Sequence, residues 1–166
     1  MTESDLKEKF ISVFEENIGI IIKISRAYTK TTHDREDLIN DIALELWKAY
    51  PKFKGYSKIS TWIYRITLNT SMNYRRKGKS NLLLFSESNQ IDTSAWFQDT
   101  ENKEQADLLY ECIDDLTEFN KAIIILYLDG NSHDEISTIT GISKTNVGTR
   151  ISRIKEQIKK NVNSKK

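Results

Sequence analysis

Apolar residues return every three or four positions near the start of the chain, which is the spacing of one face of an α-helix. The positions that carry this period are Phe10, Val13, Phe14, Ile21, Ile24 and Tyr28. The run Ile20-Ile21-Ile22 would also suit a strand, but its flanks keep the helical period. The pattern therefore predicts a single helix over this segment.

Two further helices are predicted before position 78. Asp34 is expected to be the N-cap of the first, with Asp37 at the reciprocal position of a capping box, and Pro51 is expected to end it. The second is expected to begin at Ser57 or Ser60 and to end near Gly78. The first half of the chain is thus predicted to contain three helices.

The last third of the chain predicts four more helices, with breaks at Asp129-Gly130 and at Gly141. Their apolar positions are Leu109, Cys112, Ile113 and Leu116; Phe119, Ala122, Ile123, Leu126 and Tyr127; Ile136 and Ile139; and Val147, Ile151, Ile154 and Ile158. No segment alternates apolar and polar residues as a strand of a hairpin does. The fold class is therefore predicted to be all-α.

A polar segment separates the two helical parts. Residues 79–102 are rich in Ser, Asn, Asp, Gln and Thr, which is typical of a flexible linker. Two apolar clusters, Leu82–Phe85 and Trp96-Phe97, suggest that parts of this linker dock on a surface. We therefore expect two small helical domains, residues 1–78 and 103–166, joined by this linker.

Composition excludes several classes of protein. The single cysteine, Cys112, rules out an internal disulfide framework, and with only two histidines a zinc site is not expected. The longest apolar cluster is too short to span a bilayer, and the first residues do not form a signal peptide. We therefore expect a cytoplasmic protein without metal, cofactor or membrane insertion.

The net charge of +1 hides a strong segregation of charge along the chain. Residues 46–86 contain nine basic residues and no acidic one, and residues 142–166 contain eight basic residues and only Glu156 as an acid. Residues 87–118 contain ten acidic residues and only Lys103 as a base. Solvated helix faces would explain one basic block, but two such blocks favour a polyanionic partner.

Residues 132–147 have the pattern of a helix-turn-helix. Ser132 can cap a short helix with Glu135 at the reciprocal position, Gly141 can supply the positive φ of the turn, and Ser143 can cap the second helix. Val147, Ile151, Ile154 and Ile158 form the buried stripe of that second helix. Asn146, Thr149, Arg150 and Arg153 lie off this stripe, as the base-reading residues of a recognition helix do. An ordinary helical hairpin with a basic face is the simpler interpretation, but the turn, caps and basic tail together favour DNA binding.

The helix that begins at Asp34 has two distinct faces. Its core stripe is Leu38, Ile39, Ile42, Ala43, Leu46 and Tyr50, and its other face carries Asp37, Asp41, Leu44 and Lys48, flanked by Asn40, Glu45 and Trp47. Apolar residues ringed by charge are typical of a protein interface. The alternative is that Trp47 only covers the edge of the core.

The helix that ends near Gly78 combines basic, amide and aromatic residues. We expect a core stripe of Ile59, Ile63, Ile66 and Thr70, with Trp62 and Asn73 at its edges. The other side carries Tyr64, Arg65, Leu68, Asn69, Met72, Arg75 and Arg76. Such a surface suits single-stranded nucleic acid, because bases stack on rings and guanidinium planes. A solvated basic side explains this helix equally well.

These segments resemble extracytoplasmic-function (ECF) sigma factors of bacterial RNA polymerase. The resemblance to the family's second domain rests on Asp34–Asp41, Trp47–Tyr50, Phe53–Gly55, Ser60–Ile66 and Asn69. The resemblance to its fourth domain rests on Leu116-Thr117, Ile125-Leu126, Asp129-Gly130, Glu135-Ile136, Gly141–Ser143, Val147 and Arg150–Arg153. It covers nearly the whole chain except the termini and the linker. Ser137 and Gly148 depart from the small Ala and the basic residue that the family often has there.

The resemblance implies a sigma factor that binds core polymerase, recognises a promoter and assists strand opening. Binding to the clamp helices of the polymerase β′ subunit would use Asp37, Leu38, Asp41, Leu44, Glu45 and Trp47. The minus-10 element would be bound by Lys58, Trp62, Arg65, Asn69, Asn73, Arg75 and Arg76. The minus-35 element would be bound by Ser143, Lys144, Asn146, Thr149, Arg150 and Arg153, in a four-helix, winged-helix-like domain. The β flap and an anti-sigma factor are further partners that the family suggests.

Two other classes of function fit the sequence less well. A stand-alone helix-turn-helix regulator with a sensor or dimerisation half would not need the acidic-apolar face or the basic aromatic helix. An enzyme is disfavoured because the sequence has no P-loop, nucleophile elbow or HExxH motif. No catalytic residue is therefore predicted.

Overall fold

The computed structural model describes residues 2–77 and 103–164, which belong to two compact units. The first unit contains a 3₁₀ turn at Tyr50–Lys52 and four helices: α1 Glu3–Glu16, α2 Ile18–Tyr28, α3 Thr32–Ala49 and α4 Ile59–Lys77. The second contains α5 Lys103–Asp114, α6 Glu118–Leu128, α7 His133–Thr140 and α8 Lys144–Ser164. None of the described residues lies in a strand, so the all-α prediction is confirmed and the second unit shows no β-wing there.

The predicted linker, residues 79–102 with its two apolar clusters, lies outside the described residues. Within residues 2–77 and 103–164, no helix combines the length and the hydropathy that a membrane span requires.

Asn17 divides the helix predicted over positions 10–28 into α1 and α2. Its backbone leaves the helical region at φ −114° and ψ 14°, and its side-chain amide donates to the Val13 carbonyl oxygen at 2.9 Å. The same oxygen also accepts the Asn17 backbone N–H at 3.2 Å, so Asn17 closes the last turn of α1 with two bonds to one carbonyl. The prediction of three helices was therefore wrong by one, because the apolar period continues across the break.

Thr31, and not Asp34, caps helix α3. The Thr31 hydroxyl oxygen accepts the backbone N–H of Asp34 at 3.0 Å. Asp34 lies in the first turn, where its carboxylate meets the positive end of the helix dipole. The predicted cap was therefore wrong, while the predicted end is confirmed: α3 ends at Ala49, before the turn that contains Pro51.

The core of the first unit forms where α2, α3 and α4 pack together. Its side chains with at most 1% exposure include Ile21, Ile24, Leu38, Ile39, Ile42, Leu46 and Ile63. An aromatic cluster links α1 to α3 and to the 3₁₀ turn: the Phe10 ring lies 5.2 Å from Trp47 of α3 and 5.5 Å from Tyr50 of the turn. Trp62 of α4 extends this cluster, at 6.2 Å from Tyr50. Helix α3 therefore has packed neighbours on more than one side.

Helix α4 turns a different side to the core than its apolar stripe predicted. Tyr64 and Leu68, expected on the exposed side, are 6% and 4% exposed. Thr67 and Ser71 are fully buried. The predicted core residues other than Ile63 are only half-buried: Ile59, Ile66 and Thr70. The sequence pattern treats small hydroxyl side chains as polar, so it did not predict that Thr67 and Ser71 are buried. The predicted core face of α4 is therefore rotated about the helix axis relative to the observed one.

Helix α8 is the main packing element of the second unit, because α5, α6 and α7 all contact it. Val147, Ile151 and Ile154 are buried as predicted, and Ile158 is half-buried. Towards its C-terminus, the Asn161 side chain donates to the Cys112 carbonyl oxygen at 3.0 Å and so connects α8 to α5. The prediction of four helices in this part is confirmed.

A buried ion pair joins α5 to α6. Lys121 is 1% exposed, and its ammonium nitrogen lies 3.3 Å from a carboxylate oxygen of Asp114, whose side chain is 30% exposed. A buried charge needs its partner, because the protein interior does not replace the lost hydration. The sequence pattern gave no sign of a buried lysine at this position.

Tyr74 connects the C-terminal part of α4 to the N-terminal part of α3. Burial raises the pKa of Tyr74 from its ordinary value of 10 to about 12, with further contributions from the charges of Asp34, Asp37 and Asp41 and from a hydrogen bond with Asp34. The neutral hydroxyl donates to a carboxylate, whereas a phenolate would repel all three acids. Tyr74 therefore joins the two helices only while it is protonated.

We expect Asp114→Ala to destabilise the second unit by about 3 kcal/mol, because the buried Lys121 ammonium loses its carboxylate. Lys121→Met should keep the stability to within about 1 kcal/mol, since it removes the buried charge and retains an unbranched side chain. Hydrogen exchange of the α5 and α6 amides in the whole chain measures both changes. Equal losses in the two variants would contradict this account of the pair.

The first unit should lose stability as the pH rises from about 10 to about 12. The unfolded chain releases the Tyr74 proton near pH 10 and the folded chain only near 12, so the contribution is complete below pH 10 and is lost between the two values. Tyr74→Phe should lack this part of the pH dependence. Urea denaturation of both proteins at about pH 9 and about pH 11 tests it; identical pH dependence would show that Tyr74 does not link the helices.

Candidate nucleic-acid and partner interfaces

A stripe of acidic residues runs along the exposed side of α3. Asp37, Asp41 and Glu45 follow one another at four-residue steps, which places them in one row on the helix surface. The side chains of Asp37 and Glu45 are 31% and 51% exposed. Their contacts within the helix are weak surface contacts: Asp37 lies 3.6 Å from the His33 imidazole, and Glu45 lies 3.7 Å from the Lys48 ammonium. These three carboxylates, called the acidic stripe below, give this side of α3 a negative charge that suits a basic partner.

The apolar residues predicted for the same interface lie deeper. Leu38 is fully buried and Leu44 is 8% exposed, so both are core residues of α3 in this structure. Trp47 is half-buried against Phe10 of α1. The helical period predicted that Leu44 lies on the face of α3 opposite the core. That period does not show that α3 is also covered on a second side. The structure therefore leaves the polar residues and the exposed part of Trp47 at the surface.

Helix α4 presents a row of exposed polar residues. Arg65, Asn69, Asn73 and Arg76 are all exposed and recur at steps of four, four and three residues. They therefore lie on one side of the helix, and Arg75 beside them is half-buried. Six of the seven residues predicted for the minus-10 element lie on this helix, five of them in or beside this row and Trp62 in the first turn. The seventh, Lys58, directly precedes the helix.

The loop between the 3₁₀ turn and α4 holds a fully solvated aromatic ring. Tyr56 is 93% exposed, with exposed Lys54 and Lys58 two residues to either side. Gly55 has a φ of 76°, which lets the chain turn sharply before Tyr56. The Phe53 ring packs 5.0 Å from Trp62 and so fixes the start of the loop to α4.

Sequence reasoning missed Tyr56. It belongs to no helical period, which is why the pattern gave it no role. An aromatic residue directly after a loop glycine and between two lysines was the signal that could have found it.

The turn of the helix-turn-helix is held by hydrogen bonds around Gly141. Gly141 has a φ of 85°, as predicted, and its N–H donates to the Ser137 carbonyl oxygen at 2.8 Å. The Ser137 hydroxyl donates across the turn to the Ile142 carbonyl oxygen. Ser143 caps α8 by accepting the Asn146 backbone N–H at 3.1 Å. Ser137 thus adds a bond that the family's usual Ala could not make.

The residues predicted to bind the minus-35 element differ in how they are held. Asn146, Thr149 and Arg153 are exposed on α8. Lys144 is also exposed and lies 3.3 Å from Asp134 of α7. The hydroxyl of Ser143 is already used by the cap. Five of the six predicted residues therefore lie at the surface around the N-terminal half of α8.

Arg150 is the exception, because it turns towards α6. It is half-buried, its Nη1 donates to Asn120 Oδ1 at 2.9 Å, and its guanidinium lies 5.0 Å from the centre of the Phe119 ring. Its position is therefore set inside the unit before any ligand binds.

Gly148, the other departure from the family pattern, is not required by packing. A Cβ at this position would lie 3.6 Å from the His133 ring, which is an ordinary contact.

Two family models match the chain. Sigma-70 region 2 matches residues 13–81, and Sigma-70 region 4 matches residues 106–158. The first match contains the acidic stripe, the Tyr56 loop and the exposed row of α4. The second contains the helix-turn-helix. The two matches thus occur in the order that the resemblance predicted.

The chain is also similar to curated proteins over most of its length. It is 28% identical over 138 residues to the ECF RNA polymerase sigma-E factor of Escherichia coli strain K12, which covers 75% of this chain and 72% of that protein. It is 26% identical over 142 residues to the ECF RNA polymerase sigma-E factor of Haemophilus influenzae, which covers 78% of this chain and 75% of that protein.

Two solved structures share the fold. CnrH, in complex with the cytosolic domain of CnrY, matches with a TM-score of 0.71 and 16% identity over 96% of this chain and 91% of CnrH. The sigma factor RpoE of Bartonella quintana, in complex with the anti-sigma factor NepR, matches with a TM-score of 0.64 and 17% identity over 96% of this chain and 97% of RpoE. With both family regions in order and sigma-E factors among its relatives, the chain belongs to the sigma-70 family as a sigma factor of the ECF type, which binds RNA polymerase and recognises promoters.

Proposed function

We propose that this sigma factor works through three surfaces, one acidic and two basic. The acidic stripe of α3 binds the clamp helices of the polymerase β′ subunit. The Tyr56 loop and the exposed row of α4 bind the minus-10 element, and α8 binds the minus-35 element. The corresponding domains are residues 1–78 and 103–166, with residues 79–102 as the linker. The observation that carries this proposal is the position of the acidic stripe at the surface, half-buried at Asp37 and Asp41 and exposed at Glu45, on a helix whose leucine and isoleucine residues are buried.

The acidic stripe suits a basic helical partner for two reasons. Its carboxylates lie in one row, so a partner helix can meet several of them along its length. Leu38 and Leu44 are buried and hold α3 in the core of the unit. The acidic stripe therefore lies on a rigid helix, which loses little conformational entropy on binding. The exposed part of Trp47 adds an aromatic group of the kind that is enriched in interfaces.

The surface made by the Tyr56 loop and α4 suits the separated strand of an opened promoter. Arg65 and Arg76 can meet phosphates, while Asn69 and Asn73 can donate and accept hydrogen bonds at base edges. Tyr56 offers a solvated ring on which an unpaired base can stack. Stacking and phosphate binding together offset the cost of unpairing, so strand opening needs no catalytic group of the protein.

The remaining parts of the proposal follow from the class of protein. The chain acts in the cytoplasm, where it meets polymerase and DNA, and it is not itself an enzyme. CnrH and RpoE, which share its fold, have structures with a partner bound, the cytosolic domain of CnrY and the anti-sigma factor NepR. An inhibitory partner of this kind is proposed for this chain as well, together with a contact to the polymerase β flap.

Reversal of charge in the acidic stripe should weaken binding to core polymerase. The double variant Asp37→Arg/Glu45→Arg is expected to raise the Kd for core by at least about tenfold, because basic groups then face a basic partner. Fluorescence anisotropy of a labelled chain titrated with core polymerase measures this Kd.

The matched control for this experiment is Glu8→Arg/Glu15→Arg. Both residues are exposed on α1, and the change in net charge is the same. The control should bind core as the unaltered chain does. An equal effect of the two double variants, or none from either, would exclude the acidic stripe as the interface.

Loss of the Tyr56 ring should impair promoter opening. We expect Tyr56→Ala to lower run-off transcription from duplex promoters by about tenfold, since base stacking on an aromatic ring contributes about 1–3 kcal/mol. Tyr56→Phe keeps the ring and should retain activity. A promoter with a pre-opened minus-10 element should partly restore the transcription activity of Tyr56→Ala. If Tyr56→Ala initiates normally on duplex DNA, this ring does not bind a base.

A further inference from the structure

Arg150 is bound inside the second unit through two of its three nitrogen atoms. Its Nε donates to Asn146 Oδ1 at 3.1 Å, and its Nη1 donates to Asn120 Oδ1 at 2.9 Å. The guanidinium also lies 5.0 Å from the centre of the Phe119 ring, within range of a cation–π contact. A bidentate contact to guanine through Nε and Nη2 would have to break the bond to Asn146, and one through Nη1 and Nη2 would have to form beside the bond that holds Nη1 to Asn120. Arg150 is therefore poorly placed to read a base itself.

The anchor of Arg150 on α6 is itself fixed. Phe119 and Asn120 lie in the first turn of α6, and the Asn120 backbone N–H donates to the hydroxyl of the N-cap Thr117 at 3.2 Å. The contacts therefore form a continuous series from the start of α6, through Arg150, to Asn146 on the recognition helix. A side chain at each step limits the movement of the next.

The bond from Arg150 determines which way the Asn146 amide points. An arginine Nε–H can only donate, so the Asn146 atom that it meets must be the oxygen and not the nitrogen. The amide nitrogen of Asn146 then carries two hydrogens away from Arg150 and donates to no atom among the residues that the structure describes. Asn146 is exposed in the first turn of α8, where a recognition helix meets base edges.

We propose that Arg150 is a positioning residue that makes Asn146 a donor to the DNA, and that Asn146 thereby determines one base of the minus-35 element. An asparagine that is free to rotate reads adenine through both its oxygen and its nitrogen. Here the oxygen is held by Arg150, so the amide presents its N–H groups. These hydrogens match the O6 and N7 acceptors of guanine best, thymine O4 less well, and cytosine, which offers an N4–H donor, least.

This inference rests on the proposed binding of α8 to the minus-35 element. Arg153, three residues further along α8, is an arginine of the same helix with which Arg150 can be compared. Its side chain is exposed and forms no hydrogen bond or ion pair within residues 2–77 and 103–164. Arg153 can therefore contact DNA directly and independently of Asn146.

The test uses holoenzyme reconstituted from the full chain and core polymerase, on promoters that carry each of the four bases at each minus-35 position. We expect one position at which guanine exceeds cytosine by about tenfold in run-off transcription, and at which Asn146→Ala abolishes the preference. Arg150→Ala should relax that same position, and Arg150→Ala/Asn146→Ala should be no more defective than Asn146→Ala alone. Arg153→Ala should instead combine additively with Asn146→Ala.

Two milder variants separate positioning from a loss of folding. Asn146→Asp keeps an oxygen for Arg150 but presents an acceptor to the DNA, so it should shift the preference at the same position from guanine towards cytosine. Asn120→Ala removes only the anchor on α6 and should weaken the guanine preference by at least about twofold.

The outcomes separate this inference from the proposed function. Additive effects of Arg150→Ala and Asn146→Ala, or relaxation at different positions, would show that Arg150 reads its own base and would overturn the inference alone. An unchanged preference in Asn146→Asp would do the same. If the unaltered holoenzyme ignores every minus-35 substitution, the proposed role of α8 fails instead.

Discussion

The first unit depends on how helix α3 is packed. Leu38, Ile39, Ile42 and Leu46 fill the core with α2 and α4, while Phe10 of α1 covers Trp47 and Tyr50. This burial on more than one side leaves a narrow strip of the helix exposed, and that strip carries the acidic stripe. The same packing fixes α4, whose exposed row of arginine and asparagine residues faces away from the core. Opposite charges are thus kept on different helices of one small unit.

Tyr74 shows that the two helices are also joined by a polar contact. Its hydroxyl meets the acids at the start of α3, and burial together with their charge keeps it protonated up to about pH 12. The contact uses Asp34, one turn before the acidic stripe begins, and leaves Glu45 at the far end of the stripe exposed. The N-terminal end of the stripe therefore lies beside a structural contact, and we expect Glu45 to contribute more to binding.

The second unit uses one helix for both packing and recognition. Val147, Ile151 and Ile154 of α8 bury against α5, α6 and α7, and the residues beside them face outwards. Gly141 and Ser137 fix the angle at which the chain enters α8, and Arg150 joins its first turns to α6. A recognition helix held at these points can present Asn146 and Arg153 to DNA with little reorganisation.

Sequence patterns predicted the fold class and seven helices, the first of which the structure divides in two, because apolar periodicity records burial on one face. They failed where a short-range hydrogen bond competes with that period, as at Asn17 and Thr31. They also failed where small polar residues are buried, as at Thr67 and Ser71. For this reason the core face predicted for α4 differs from the observed one. Two basic charge blocks and the two-faced pattern of α3 located the candidate surfaces, but only the structure shows that Leu44 is buried, that Tyr56 is solvated and that Arg150 is bound internally.

The central claim is that this chain alone gives core polymerase its promoter specificity, through surfaces that need no catalytic group. Transcription reconstituted from purified core polymerase, genomic fragments and the chain tests it most directly. The account predicts discrete transcripts from a small set of promoters that depend on the chain, and none of these from core polymerase alone. Stable binding to DNA without binding to core, and no transcript that depends on the chain, would contradict the account and would favour a stand-alone helix-turn-helix regulator.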